Sequence, residues 1–537
     1  MPPKPGLPRS RRVFGLRRLA AWVVASATDV RASRALVAAV IILHVGIWSR
    51  ALTLLKQGQD IHFDVAEAFA WGQQFLLGYG KHPPLSGWVA GLWFRIFPAA
   101  DWAAYALAMT VAGIGLWFCW LIALKVVDRR RALLSVLLLA IYPIFNFKGY
   151  KYNADLIQLI TLPLLVLAYL HAFERRTLRA GVWLGLAGAL AMLAKYWALT
   201  MIGAIGLAAL LHPQRLQFLR SPAPWAAIVV MFIGLAPHLW WLWQVGFTPL
   251  SYAGGIYEIP SRLEGLRMAL GYLEHNVALL LLPIVLGLLT LISLPVVSPL
   301  RSRDPFRAIT QGPPRSAYPA ARWAQALQIW MIQLIVAIGP PLGGIAFSIY
   351  MKTDWGIPLF FLTPLALLAI PGLRVPRIAL FRVMVIWLLA SLAVLAAAPQ
   401  IAEYVAPRNR SGIESYGARS ELARNLTEEW HVRFKSQWRA VIGPTRITNL
   451  MAFYSVDHPT PLPLNDPSSG LISLAEAQRS GYVGICDPAA PDYRDCDAWM
   501  KANAPLAERV IVTTRRFFQG KAGEAAHWDI YYMPPLR

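Results

Sequence analysis

Apolar runs alternate with short polar connections up to about residue 400, and then the pattern stops. A membrane-crossing helix takes roughly 20 mostly apolar residues. About eleven such runs are present by the same criterion, near 35–53, 103–126, 131–147, 155–172, 180–195, 197–211, 224–243, 276–297, 327–349, 355–371 and 378–398. The fifth and sixth are short and flank Lys195-Tyr196-Trp197, so they read either as two spans or as one broken helix. Past residue 400 the periods shorten. Apolar alternation in Glu508–Thr514 and Trp528–Met533 predicts strands among short helices. The expected fold is an all-α polytopic membrane domain, 35–399, preceded by a basic arm, 1–34, and followed by a C-terminal α/β domain, 400–537.

Composition agrees with that pattern. Of 537 residues, 57% are hydrophobic and 15% charged, against about 25% charged in an ordinary soluble domain. The 51 Lys+Arg exceed the 28 Asp+Glu by 23. The basic residues are spread between apolar blocks, however, which argues against a nucleic-acid partner and for contact with membrane lipids.

The positions of the arginines set an orientation. Arg9, Arg11, Arg12, Arg17, Arg18, Arg31 and Arg34 precede or open the first run, with Asp29 as the one acid. No small-residue cleavage site follows, so the segment reads as a retained cytoplasmic arm. Every even connection then carries arginine: Arg129–Arg131, Arg175 with Arg176 and Arg179, Arg215 with Arg220, Arg301 with Arg303 and Arg307, Arg374 with Arg377. The odd connections instead mix acids, histidines, lysines and aromatics. The N-terminus is expected in the cytoplasm and the C-terminal domain in the periplasm. Cys486 and Cys496 can pair in such an oxidising compartment, the alternative being two free thiols; Cys119 reads as core filler. The Pro/Arg-rich stretch 298–322 reads as a cytoplasmic loop.

The first odd connection is the most informative. Val65, Ala68, Phe69, Phe75 and Leu76 recur near helical spacing after Asp64, which predicts an amphipathic helix lying on the membrane surface. Asp64 stands at its start, where the helix dipole favours a carboxylate, and Glu67 lies one turn on. Gly78-Tyr79-Gly80 ends the helix, Lys81-His82 follows, and Pro83-Pro84 opens a second apolar piece too short to span.

An acid opening this helix, then Gly-Tyr-x-x-His-Pro-Pro and an apolar-aromatic run to Phe97-Pro98, resembles the polyprenyl-phosphate-dependent glycosyltransferases of the GT-C fold. The stretch is similar to the bacterial branch holding the lipid A aminoarabinose transferase and the lipopolysaccharide galacturonosyltransferases, relatives of protein O-mannosyltransferases. Tyr152-Asn153-Ala154-Asp155, Lys195-Tyr196 and Lys352-Thr353-Asp354-Trp355 extend the resemblance. It implies a catalytic carboxylate at Asp64, a second at Asp155, and His82 with Lys81 near the donor phosphate. Relatives often have two acids in succession, whereas here Val65 follows Asp64. Glu67, the next acid, is carried as a third catalytic candidate, and Asp60 competes with Asp64 for the catalytic position.

The implied donor is a sugar on a polyprenyl phosphate, and the acceptor a lipid A or lipopolysaccharide-type glycolipid of the cell envelope. Transfer would invert the anomeric carbon on the periplasmic side of the inner membrane, with no cofactor required and no metal indicated. Cations improve a phosphate as a leaving group. The candidates are Lys81, His82, Lys148, Lys151, Lys195, Arg262, Arg267 and Lys352, with Tyr79 of the same motif beside them. Blander readings exist for each residue. Asp64 fits a helix cap, Asp155 fits an i−4 pair with Lys151, and lysines at span ends snorkel to headgroups. Three other functions compete: protein O-mannosyl transfer, lipid or solute transport, and structural assembly through residues 400–537. Transport predicts related halves and ionisable groups deep in paired spans, and neither is seen.

Overall fold

The computed structural model describes residues 10–250, 261–291, 320–348, 352–405, 418–464 and 470–536. Arg9, the expected loop 298–322 up to residue 319 and the acid Glu258 lie outside them. The basic arm is helical, α1 (Ser10–Thr28), and packs on α2 (Val30–Lys56). Asp29 stands between them and caps α2, accepting from the backbone N–H of Arg31 and Ala32 at 2.9 and 2.8 Å.

Next come α3 (Phe63–Gln74), α4 (Leu85–Phe94), α5 (Asp101–Val126), α6 (Arg129–Ile141), α7 (Gln158–Arg175), α8 (Leu178–Ala194), α9 (Leu199–Leu211), α10 (Arg215–Leu219), α11 (Pro222–Gln244), α12 (Arg262–Leu291), α13 (Ala320–Phe347), α14 (Thr363–Leu368) and α15 (Arg377–Val405). Each of the eleven expected runs overlaps helix among the described residues. Six described helices are long and apolar enough to cross a membrane, or seven with one bent pair, so this is a multi-pass membrane protein. The expected count of eleven full spans is not reproduced. The helices at 158–175, 178–194, 196–211 and 353–368 have 18 residues or fewer, about 27 Å at most at 1.5 Å per residue. A bilayer core is about 30 Å thick. The fifth and sixth runs are separate helices, because Lys195 is extended (φ −164°, ψ 140°).

The third run is the bent one. After α6 the chain turns by 80° into 143–150, where Pro143 cannot continue the helix. The turn leaves Phe145 O without a helical partner, and His44 of α2 supplies one at 2.7 Å. The indole N–H of Trp387 on α15 donates to the other ring nitrogen of His44 at 3.2 Å, so Nε2 must carry the proton. This buried thread joins α2, α15 and the bend, meeting the demand that backbone polar groups be paired inside a bilayer.

Two polar faces result, as the charge pattern predicted. Even connections meet one another: Lys125 pairs with Glu174 at 2.8 Å, Arg176 binds Gln217 and Gln214, and Arg131 reaches Leu368 O and Leu373 O. Odd connections gather at the other end, around α3.

The C-terminal domain contains α16 (Arg419–Phe434), α17 (Thr445–Tyr454), α18 (Leu474–Ser480) and α19 (Tyr493–Asn503) around a five-stranded sheet. Its strands are β1 (Ala440–Gly443), β2 (Thr460–Pro463), β3 (Tyr482–Cys486), β4 (Glu508–Phe518) and β5 (Lys521–Met533), in the order β2-β1-β3-β5-β4. The predicted strand pair is the β4–β5 hairpin, with Val510 opposite Ile530. Cys486 and Cys496 form a disulfide that ties β3 to α19, and Cys119 is a buried free thiol.

One expectation about α3 fails. It has no wet face along its middle, because Val65 through Gly72 are all buried. On one side α4 approaches so closely that a Cβ on Gly72 would lie 2.4 Å from Gly91 N, and one on Gly91 would lie 2.3 Å from Gly72 O. On another side α17 covers it, with Phe453 edge-on to Phe69 at 5.2 Å. The helix also ends earlier than the glycines imply, at Gln74, with Phe75 in the left-handed region (φ 49°) under the Arg95 guanidinium.

Candidate active site

Asp64 sits in the first turn of α3, after His62, whose Nδ1 accepts from the Asp64 backbone N–H at 3.2 Å. The carboxylate is anchored from the fourth run: Asn153 Nδ2 donates to Asp64 Oδ2 at 2.8 Å. The Oδ1 atom of Asn153 meanwhile accepts from the N–H groups of Asp155 and Leu156 at 3.0 and 2.9 Å. One side chain therefore builds the turn leading into α7 and fixes the carboxylate on α3. About a fifth of Asp64 remains open (21% exposed). Burial raises its carboxyl, but His62, Lys151 and the Asn153 hydrogen bond outweigh that and hold it below the usual carboxylate range.

Asp155 lies in the turn before α7 rather than at its first residue, since the helix starts at Gln158. Its partner is Lys195, with Nζ 2.5 Å from Asp155 Oδ1, and not Lys151 one turn back. The same Nζ lies 5.1 Å from the ring centre of Trp355. His82 stands nearby and is driven down to about 3, by burial first and then by Lys195, which keeps it neutral. His62 is likewise lowered to about 4, chiefly by burial.

The cations divide by what they already hold. Lys81 is bound to Glu67 at 2.7 Å, and Glu67 is buried. Glu67 is thus a partner for Lys81 inside the α3 packing, not an open acid or base, which corrects its expected catalytic role. Lys148 lies 3.4 Å from His275 Nε2 and 3.8 Å from Asp354, and His275 is itself 3.2 Å from Asp354. Lys151 differs, having no carboxylate within ion-pair distance among the described residues. Burial lowers its ammonium, but Asp64 heads the groups that raise it overall, so it stays charged. Lys352 is exposed beside this group and acts electrostatically on His62.

Four further assignments change. Tyr79 is fully buried, stacked on Trp71 at 4.8 Å, and its hydroxyl donates to Trp71 O at 2.7 Å. It locks the turn after α3 and offers nothing to a donor. Arg262 is exposed on α12, and Arg267, 69% exposed, pairs with Glu264 at 3.6 Å. Among the described residues neither bonds to the cluster. Asp60 is no competitor for Asp64: it is buried and accepts from the N–H of Arg419 and Ser420 at 3.0 and 3.4 Å and from the Arg516 guanidinium.

Sequence reasoning did not single out Asn153, His62 or His275. Asn153 belongs to the Tyr152-Asn153-Ala154-Asp155 motif, and an Asn two residues before an Asp is a turn signal. His62 caps α3 locally through the Asp64 N–H, a role histidine seldom takes, and His275 had no local signal, since Lys148 and Asp354 lie far along the chain. His238 and Trp241 of α11 complete the frame. His238 Nδ1 bonds Leu77 O at 2.7 Å, and a Cβ on Gly78 would lie 2.3 Å from the Trp241 ring. Among the described residues no three His, Cys, Asp or Glu side chains gather as metal ligands would.

This frame has relatives. The crystal structures of ArnT from Cupriavidus metallidurans, bound to undecaprenyl phosphate and in the apo state, superpose with TM-scores of 0.56 and 0.57 at 12% identity. They match over 91% of this chain and 97% of theirs. The chain has the GT-C glycosyltransferase fold. Within that fold, residues 81–241 match the dolichyl-phosphate-mannose-protein mannosyltransferase family. The lipid A galacturonosyltransferase RgtD of Rhizobium johnstonii is 27% identical over 231 residues, a match spanning 40% of this chain and 45% of that protein. The GT-C resemblance read from residues 60–98 and 153–155 is thereby borne out.

Proposed function

We propose that this GT-C protein is a bacterial inner-membrane glycosyltransferase that takes a sugar from a polyprenyl phosphate and gives it to a lipid A or lipopolysaccharide-type acceptor. The cluster around Asp64 would face the periplasm, with the arginine-bearing connections in the cytoplasm. The observation that carries the reading is an ionised, hydrogen-bonded Asp64 in the field of a Lys151 that holds no carboxylate of its own. A donor phosphate would settle on Lys151, with Lys352 and Lys148 beside it and the prenyl chain among the spans. The acceptor hydroxyl oxygen bonds to the anomeric carbon while the bond from that carbon to the phosphate oxygen breaks. The electron pair leaves on the polyprenyl phosphate, the hydroxyl proton goes to Asp64, and in-line attack inverts the carbon. Asp155, held by Lys195, orients the acceptor.

The ArnT and RgtD likenesses support a lipid carrier and an envelope glycolipid. The mannosyltransferase match over 81–241 favours a second reading, protein O-mannosyl transfer. Both readings predict that Asp64→Asn in proteoliposomes lowers transfer by roughly 10²-fold or more at normal expression. Near-normal transfer by that variant would refute the role of Asp64. Mass spectrometry of envelope lipids with and without the gene separates the two readings: a one-sugar shift supports lipid transfer, and unchanged lipids with altered glycoproteins support the second.

A further inference from the structure

A cavity of about 650 Å³ opens between the C-terminal domain and the far end of α3. Gln74, the last residue of that helix, lines it together with Arg439, Arg479, His458 and Thr460. Two acids border it, and each has one oxygen engaged by the protein. Asp457 Oδ2 takes the Trp438 N–H and His431 Nε2, each at 2.7 Å, and Glu476 Oε2 takes the Ser473 N–H and hydroxyl at 3.1 and 2.7 Å. The two arginines are not so committed. The Arg439 side chain has no hydrogen bond or ion pair among the described residues. Arg479 offers only its Nε, at 3.4 Å, to Ala475 O, which leaves its terminal nitrogens open.

The remaining groups are polar. His458 Nδ1 donates to Ala452 O at 2.9 Å. Thr460 contributes a hydroxyl and Gln74 an amide. Two exposed guanidiniums that hold no protein carboxylate can recognise a phosphate or a carboxylate, while the amide and hydroxyl groups suit sugar hydroxyls. The volume falls among ordinary ligand sites, roughly 300–1,000 Å³. Gln74 is ten residues from Asp64 on one helix, about 15 Å along its axis. That is too far for the reacting sugar and within range of a second sugar of the acceptor.

We propose that this cavity binds an anionic saccharide portion of the acceptor, so that the C-terminal domain selects what Asp64 acts on. The inference rests on the transferase reading for its purpose, but binding can be measured without transfer. The test uses the full chain in lipid nanodiscs, wild type and Arg439→Gln/Arg479→Gln, titrated with a phosphorylated glucosamine disaccharide, a galacturonate disaccharide, a neutral disaccharide and inorganic phosphate. At least one anionic disaccharide is expected to bind tenfold or more tightly than the neutral one and than phosphate, and the double variant is expected to lose that preference. Which anionic disaccharide binds tells phosphate from carboxylate. In transfer assays the variant is expected to raise the acceptor KM about tenfold, with kcat and the donor KM within twofold of wild type. Equal binding by wild type and variant would overturn the proposal, as would phosphate binding as tightly as either saccharide. Arginine-dependent saccharide binding without any transfer would leave the cavity standing and remove the transferase reading instead.

Discussion

Asn153 is the residue whose chemistry is most compressed, because its two side-chain atoms serve two elements. Removing it as Asn153→Ala withdraws a hydrogen bond to a carboxylate, a contact worth about 1.5–3 kcal/mol. We expect kcat to fall by roughly 10- to 100-fold by the same measure, read in single-turnover transfer, while a similar change at exposed Arg262 has no such effect. The two histidines beside Asp64 make a pH prediction. With His82 held near 3 and His62 near 4, neither changes charge between pH 5 and 8, and Asp64 stays ionised. His62 and His82 should therefore contribute no limb to the rate profile across that interval, and a limb near 6.5 that vanished in His82→Gln would contradict it. Stability has the opposite sensitivity. Unfolded histidines bind protons below about 6.5 that the folded ones refuse, so their effect is to lower stability as pH falls from 6.5 toward 4. That Asp64, Asp155 and the lysines gather at one end was legible, because motif and charge sit in short connections. What Glu67, Tyr79 and Asp60 do was not, because each is decided by a partner that no local spacing reveals.

Elements show the same division. Span positions were legible, since apolar length is a local property, whereas the burial of α3 depends on α17, nearly four hundred residues further along. The expected wet surface helix is in fact clamped between Gly91 of α4 and Phe453 of α17. The segment leading into α3 is held from the same side. Tyr454 O–H donates to Asp101 at 2.9 Å and accepts from the Ile61 N–H at 2.7 Å, while Asp60 takes the Arg516 guanidinium. Breaking one partner of a buried ion pair costs about 3–5 kcal/mol, and replacing both with apolar groups costs much less. Arg516→Leu is therefore expected to lower the Tm of the full chain markedly, and Asp60→Leu/Arg516→Leu to recover part of the loss. Equal Tm values for wild type and the single variant would show that the latch bears no load.

The whole molecule is organised by its two ends. Arginine-rich connections meet at one, and acids, lysines and histidines meet at the other, where the C-terminal domain closes over α3. The sequence foretold that segregation better than it foretold the number of full-length spans, because charge sorting needs only the order of the connections. Span counting also needs helix lengths, and the bend at Pro143 and the break at Lys195 alter those. On the proposed reading, donor and acceptor meet at the second end, outside the cytoplasm.

Sidedness is tested most directly by a membrane-impermeant thiol reagent on intact spheroplasts. One single cysteine is placed at exposed Gln73 near the end of α3 and another at exposed Arg220 in an even connection, both in a Cys119→Ser background. The account predicts that Gln73→Cys labels on intact cells and Arg220→Cys only after permeabilisation; the reverse pattern would contradict it.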